Sequence, residues 1–365
     1  MIAARSKHEL ISTTLEHEIR EGKFSPGQKL PSEAAIVKRF NVSRITAGRA
    51  VRDLQRLGLV ERRAGSGTYV RDQANPRADG LVFGLLIPNL GETEIFEPIC
   101  RGMAASPLAA GHALLWGNAT SARANIEDQA LHLCRQYIQR HVDGVFFAPV
   151  ELRPESYAIN RRILADLDAA GIPVVLLDRC VEPYPDRSDH DLVGIDNRRA
   201  GFIITRHLLR LGSRSIAFAA YKYSASTVEA RIGGYLEALF LKGGEVQPEL
   251  VYRFEPGQES EIVQSVRHHP EAIVCANDYT AGQVMHALLR RGYRIPEDIR
   301  IVGIDDMGYA SLLPVPLTTV HQPVDRIGAA AMAAMVERIA HPDTPVRDIL
   351  LGCEVVVRRS CGAAS

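Results

Sequence analysis

The chain has 365 residues, 46% of them apolar, and its 43 Lys+Arg balance 43 Asp+Glu. That length implies two or three domains able to bury sizeable cores, and no apolar run approaches the roughly 20 residues that span a bilayer. The neutral total hides an uneven split: residues 1–72 carry 14 Lys+Arg against 8 Asp+Glu, and residues 73–365 carry 29 against 35. A basic head on an acidic body is the footprint of a nucleic-acid module joined to something else.

The N-terminal stretch MIAARSKHELISTTLEHEIREG is charged and amphipathic and lacks the apolar centre of a signal peptide, so a cytoplasmic protein is expected. A first helix is predicted around Leu10–Ile19. Ser32 then caps a short helix running to Phe40, with Asn41 at its left-handed end. Ser43 caps the next helix, and Val42 sits outside it as a hydrophobic staple. Along that helix Ala47, Ala50, Val51, Leu54 and Leu57 make an apolar face, while Arg44, Thr46, Arg49, Arg52 and Arg56 make the other. Gly58 stops it. Leu59–Arg63 and Thr68–Val70 read as two strands around the tip Gly65-Ser66-Gly67. Two helices, a turn and a wing together point to DNA.

The polar, proline-containing segment DQANPRAD suits a linker, placed at 73–79 between a head of residues 1–72 and a body of residues 80–365. The body alternates short apolar runs with amphipathic helices. The runs are Leu81–Pro88, His112–Gly117, Asp143–Pro149, Ile172–Asp178, Ser215–Ala220, Ala272–Asp278 and Ile299–Asp306. Continuous apolar strands separated by helices such as Ile126–Arg140 and Arg198–Leu211 imply parallel sheets in α/β layers. Such sheets bind ligands at the carboxyl ends of their strands, where Asn118, Glu151, Asp178, Arg179, Asn277, Asp278, Asp305 and Asp306 fall. Trp116, the only tryptophan, also ends a strand and is a candidate stacking platform. The six cysteines are far apart and have no metal-ligand spacing, so free thiols, no metal and no cofactor are expected.

Several stretches resemble known families. PGQKLPSE (Pro26–Glu33), VSRIT (Val42–Thr46) and GSGTYV (Gly65–Val70) resemble the winged helix-turn-helix of the gluconate-repressor (GntR) family. The resemblance implies that Arg44 reads base edges, that Ser43 and Thr46 contact phosphate, and that the Gly65, Ser66, Gly67 tip enters the minor groove. Ser32, Arg49 and Arg52 complete the candidate DNA-binding set. The family carries a second arginine four positions after the first, where this chain has Gly48. Arg49 does not replace it simply, because one residue turns a side chain about 100° around a helix.

In the body, IPVVLLDR (Ile172–Arg179), VGIDNRRAG (Val193–Gly201), HLLRLGSRSIAF (His207–Phe218), ARIGGYLEAL (Ala230–Leu239), ANDYTAG (Ala276–Gly282), IPEDIRIVGIDDM (Ile295–Met307) and LTTVHQP (Leu317–Pro323) resemble the effector domain of the lactose/galactose-repressor (LacI) family, itself similar to periplasmic binding proteins. The resemblance implies two parallel-sheet lobes joined by three crossings. These are expected near 186–191, 314–319 and 341–345, giving lobe one as 80–187 plus 320–341 and lobe two as 191–314 plus 345–360. It also implies cleft residues: Arg231 gripping ligand, Thr227 four residues before it, Asp178, Arg179, Asn277, Asp278 and Asp305 as polar partners, and Phe96 and Phe254 as aromatic covers. A guanidinium with fixed carboxylates suits bidentate bonding to vicinal hydroxyls.

An enzyme would need a catalytic constellation. Asp305–Asp306, Asp178, His207 and His321 are the available acid/base groups, yet the sequence has no nucleophile elbow, phosphate loop or zinc motif. The expectation is a non-enzymatic, ligand-responsive regulator, a repressor first, whose joining of a GntR-like reader to a LacI-like sensor resembles the architecture of arabinose repressors: a dimer on double-stranded operator DNA, its interface including helix Phe96–Ala105. A sugar is the first expectation for effector. A purine or another polar metabolite is the alternative, and a transport binding protein is the more distant one.

Overall fold

The computed structural model describes residues 7–20, 23–25, 27–56, 59–63, 66–70, 80–87, 95–117, 126–242, 247–255 and 258–363. The expected linker 73–79, Leu57, Gly58, Gly65 and Asn118 lie outside the described residues. The chain divides into two compact units, residues 1–81 and 82–365.

The first unit contains α1 (Lys7–Arg20), α2 (Glu33–Phe40), α3 (Arg44–Arg56) and an antiparallel hairpin of β1 (Val60–Arg63) and β2 (Gly67–Val70). Its boundaries follow from local chemistry. The Ser32 hydroxyl accepts from the Ala35 N–H, and Asn41 adopts φ 50°, the left-handed end expected of it. Ser43 Oγ accepts from the Thr46 N–H at 3.2 Å, opening α3. Ile11, Leu15, Ile36, Ala47, Ala50, Val51 and Leu54 then form the core, so the predicted apolar face of α3 is the buried one. Arg39 and Glu18 fasten α2 to α1 through two hydrogen bonds of 2.8 and 2.5 Å.

The second unit runs β3 (Val82–Leu86), α4 (Phe96–Ala105), β4 (Ala113–Trp116), α5 (Ile126–Gln139), β5 (Gly144–Phe147), α6 (Ser156–Ala169), β6 (Val174–Leu177), β7 (Asp191–Ile195), α7 (Asn197–Arg210), β8 (Ile216–Tyr221), α8 (Ser226–Leu241), β9 (Val251–Phe254), α9 (Glu259–Ile262), β10 (Ala272–Cys275), α10 (Asp278–Leu289), β11 (Arg300–Val302), β12 (Thr319–His321), α11 (Val324–Ala340), β13 (Asp348–Leu351) and β14 (Glu354–Val356). A six-stranded parallel sheet in the order β13-β7-β6-β5-β3-β4 organises one lobe, and a four-stranded parallel sheet in the order β11-β10-β8-β9 organises the other. Strands β5, β6, β8 and β10 are buried throughout, as their unbroken apolar runs require.

The crossings differ from those expected. Strand β7 pairs in parallel with β6, and β13 with β7, so residues 191–195 and 348–351 belong to the first lobe. The polar run DRSDHD, read as a crossing, is instead a loop joining two strands of one sheet. Its last residue, Asp191, is fully buried and paired with Arg338 at 2.9 Å. The first crossing follows Ile195. The second runs from β12 into α11, which packs on α4 in the first lobe. The third follows β13, and β14 pairs antiparallel with β12.

Helix α8 approaches α7 so closely that only glycine fits where they cross. A Cβ at Gly201 would overlap the carbonyl oxygen of Arg231, and one at Gly234 would overlap that of Arg198. Gly201→Val is expected to lower unfolding free energy by about 1–3 kcal/mol through overpacking, measured by urea denaturation of the full chain.

Candidate functional site

Two surfaces hold the predicted residues. In the head, Arg44 opens α3 with its side chain 87% exposed, and Arg49 and Arg52 are exposed along the same helix. Glu33 stands behind them, 3.8 Å from Arg44 and 3.5 Å from Arg62 of the wing. A Cβ on Gly48 would meet only this carboxylate, in ordinary contact at 3.7 Å. The Thr46 hydroxyl lies 2.9 Å from Ser43 Oγ, and Ser32 is committed to capping α2, so both serines hold helix starts as well as facing solvent. At the wing, Ser66 Oγ is 2.7 Å from Tyr69 Oη, while Arg63 stacks 4.6 Å from the Tyr69 ring. Gly67 adopts φ 134°, which glycine alone tolerates easily. Sequence reasoning missed Ile45, which is 76% exposed beside Arg44. An apolar side chain held out beside the exposed arginines of α3 has the chemistry to meet a thymine methyl if that helix lies in a major groove; the signal was an isoleucine outside the apolar stripe.

The second surface is a cleft of about 540 Å³ between the lobes of the body, within the size range of small-molecule sites. Phe96, Asp178, Arg179, Thr227, Arg231, Asn277 and Asp305 all line it. Thr227 and Arg231 sit one turn apart on α8, so they share a face. Arg231 is 4% exposed; its Nε donates to Asn197 at 2.8 Å, one terminal nitrogen donates to the Ala276 carbonyl at 2.6 Å, and the other lies 3.4 Å from Asp305. Across the cleft the Arg179 guanidinium pairs with Glu151 and with Asp178 at 3.4 Å, and stands 5.4 Å over the Phe96 ring. Burial raises the Asp178 carboxyl above the ordinary range against the pull of Arg179 and Arg231. Asp178 Oδ1 accepts no hydrogen bond among the described residues. Arginine donors, carboxylate acceptors and the rings of Phe96, Tyr221, Tyr279 and Tyr309 thus converge on one polar and aromatic cavity.

Three expected residues are not part of it. Trp116 is 58% exposed and is absent from the cleft lining, because β4 is the edge strand of its sheet. Phe254 is 2% exposed and packs edge-on behind Tyr221, 4.9 Å between ring centres, so Tyr221 is the ring that faces the cleft. Asp278 points away from its neighbour Asn277: it accepts from the Thr319 hydroxyl at 2.5 Å and the Met307 N–H at 2.9 Å, next to the second crossing. Glu151 and Tyr221 line the cleft without having been assigned by motif matching, and Asn197 and Gln322, which do not line it, hold Arg231 and Asp305 in place.

Among the described residues no group of His, Cys, Asp and Glu is arranged to hold a metal, and no helix is long and apolar enough to cross a membrane.

Family models match a part of each of the two units. Residues 8–70 match the model for bacterial regulatory proteins of the gntR family, and residues 205–361 match the periplasmic binding protein-like domain. The chain therefore joins a gntR-type regulatory head to a periplasmic binding protein-like body, the make-up of a ligand-responsive transcription regulator. The arabinose metabolism transcriptional repressor of Geobacillus stearothermophilus is 26% identical over 353 residues, covering 94% of each chain. A transcriptional repressor PurR, from Mannheimia succiniciproducens, is 26% identical over 280 residues, 75% of this chain and 80% of its own. Among solved structures, a transcriptional regulator CelR–cellobiose complex superposes with TM-score 0.65 at 25% identity, covering 87% of this chain and 91% of that one.

Burial also raises the Asp305 carboxyl, to about 7, against the pull of Arg231, and raises Asp278 to about 6 against the Thr319 and Met307 hydrogen bonds. Both groups bind protons more tightly folded than unfolded, so stability falls as pH climbs from about 4 towards 7. Asp305→Asn should flatten the upper part of that fall. Urea unfolding at pH 5, 6, 7 and 8 measures the slope.

Proposed function

We propose that this chain is a repressor of sugar-utilisation genes, released from its operator when a small sugar binds between the lobes. The observation that carries this reading is the cleft: two buried arginines, each paired with carboxylates, beside aromatic rings. Fixed donors and acceptors recognise vicinal hydroxyls, and a ring covers the C–H face of a pyranose or furanose. The near full-length likeness to an arabinose repressor supports a sugar. The purine reading draws on a relative matched over 75% of the chain. Binding is non-enzymatic, and the head works as half of a homodimer on a near-palindromic site, because one winged helix contacts few base pairs.

A thermal-shift screen of the full chain against pentoses, hexoses, phosphosugars and purines tests the effector. A true effector at 100 times its Kd adds about 2.7 kcal/mol of stability, and a purine response with no sugar response would overturn the sugar reading. For the head, duplexes selected from a random pool by the parent protein supply the probe. Arg44→Ala should bind them about 1–3 kcal/mol more weakly and with relaxed base choice at one position, read by fluorescence anisotropy at fixed salt. Unchanged affinity and selectivity would remove Arg44 from the recognition surface.

A further inference from the structure

Helix α8 begins without a cap of its own. Its N-cap position is Ala225, which has no side-chain acceptor, and three residues on stands Val228, where a capping box would place a glutamate. The missing carboxylate comes from the other lobe. Glu151, beyond the end of β5, accepts the Ala225 N–H on one carboxylate oxygen at 3.0 Å, while its other oxygen pairs with Arg179 in the cleft wall. Two more hydrogen bonds join the lobes at the same place. The Leu152 N–H donates to the Tyr223 carbonyl at 2.7 Å, and the Ser226 hydroxyl donates to the Cys180 carbonyl at 3.0 Å. Leu152 and Tyr223 both hold left-handed backbone, φ 66° and 58°, unusual for side chains of their size. Strained residues of this kind persist where surrounding bonds determine them, and they gather at switch points.

We propose that Glu151 is a positioning residue that latches the two lobes by capping α8 from across the cleft. One carboxylate serves two ends of the same site. It fixes the Arg179 guanidinium on one wall, and on the other it completes the first turn of the helix that carries Thr227 and Arg231. A carboxylate at a helix N-terminus also meets the positive end of the helix dipole. When the lobes part, α8 loses its trans cap, Ser226 loses the Cys180 carbonyl, and Leu152 loses Tyr223, all at once. Closure and the ordering of the ligand-gripping helix are therefore one event. The latch is built from protein groups alone, so it holds whichever effector the cleft takes, and it sets the open–closed balance on which that effector acts.

Hydrogen exchange by mass spectrometry on the full chain, without added ligand, tests this, using Glu151→Ala, Glu151→Gln and Ser226→Ala. Glu151→Ala should speed exchange about tenfold or more in peptides covering 150–153 and 223–229, while β8 keeps the parental rate. Glu151→Gln retains an acceptor for the Ala225 N–H and should fall between Ala and parent. The decisive arm is Ser226→Ala, made on the second lobe and read on the first: a cooperative latch requires faster exchange at 150–153 there too. Parental exchange at 150–153 in Ser226→Ala would overturn the latch, as would parental exchange at 223–229 in Glu151→Ala. Should Glu151→Ala not fold, Glu151→Gln and Ser226→Ala decide between the same two outcomes.

Discussion

A guanidinium taken almost wholly out of water costs several kcal/mol unless its donors are matched, and Arg231 meets that requirement with groups from three separate parts of its lobe. Asn197 opens α7, Ala276 follows β10, and Asp305 follows β11. None of these partners is near Arg231 in sequence. The charge can be buried only once the second sheet and its flanking helices are assembled, so a fully partnered Arg231 in the cleft wall is also a report that the lobe has folded. Asp305 carries the same constraint outward, since its carboxylate accepts from Gln322 at 2.6 Å on the second crossing. Arg231, the cleft aspartate Asp305 and the hinge residue Gln322 are thus consecutive members of one chain, linked first by an ion pair and then by a hydrogen bond.

The neighbouring carboxylates show how such a hinge is held without stiff packing alone. Asp278 takes Thr319, Asp306 lies 2.9 Å from His321 and 2.6 Å from Arg358, and Asp305 takes Gln322. Each of three crossing residues is clasped by a different aspartate. Buried carboxylates are costly when unpaired, and here burial pushes Asp278 and Asp305 upward in pKa despite their partners. Their retention makes sense at a hinge, where directional bonds fix an angle that apolar contacts would leave looser.

Much of this was legible in the sequence, for physical reasons that also explain the errors. Helix ends in the head depend on the Ser32 and Ser43 hydroxyls, which act within three residues, and on the left-handed backbone of Asn41, and they fall where expected. Strands buried on both faces announce themselves as apolar runs. By contrast β13 alternates exposed and half-buried residues, and β14 has three residues with none fully buried, so neither stands out from loop. Asp191 was misread because a charged residue in a polar run looks solvated; its arginine partners lie about 150 residues away. The site shows the same division. That strand ends carry the polar groups follows from topology, but which of two neighbours faces the cleft does not. Asn277 faces it and Asp278 turns to the hinge; Tyr221 faces it and Phe254 stands behind.

Helix α8 gathers these dependencies into a few turns. Its first turn is capped from the opposite lobe, its second turn presents Arg231, and its third is pressed against α7 through Gly234. Glycine contacts at Gly201 and Gly234 leave no soft side chain between the helices to absorb a displacement, so α7 and α8 shift together or not at all. The first lobe repeats the device: a Cβ at Gly102 or Gly328 would strike the backbone of the partnered helix, locking α4 to α11. Two rigid helix pairs, each at a lobe face and joined by short crossings, behave as levers and not as cushions. A change of a few ångströms at the cleft is then conserved as a change of lobe angle instead of being dissipated in side-chain rearrangement.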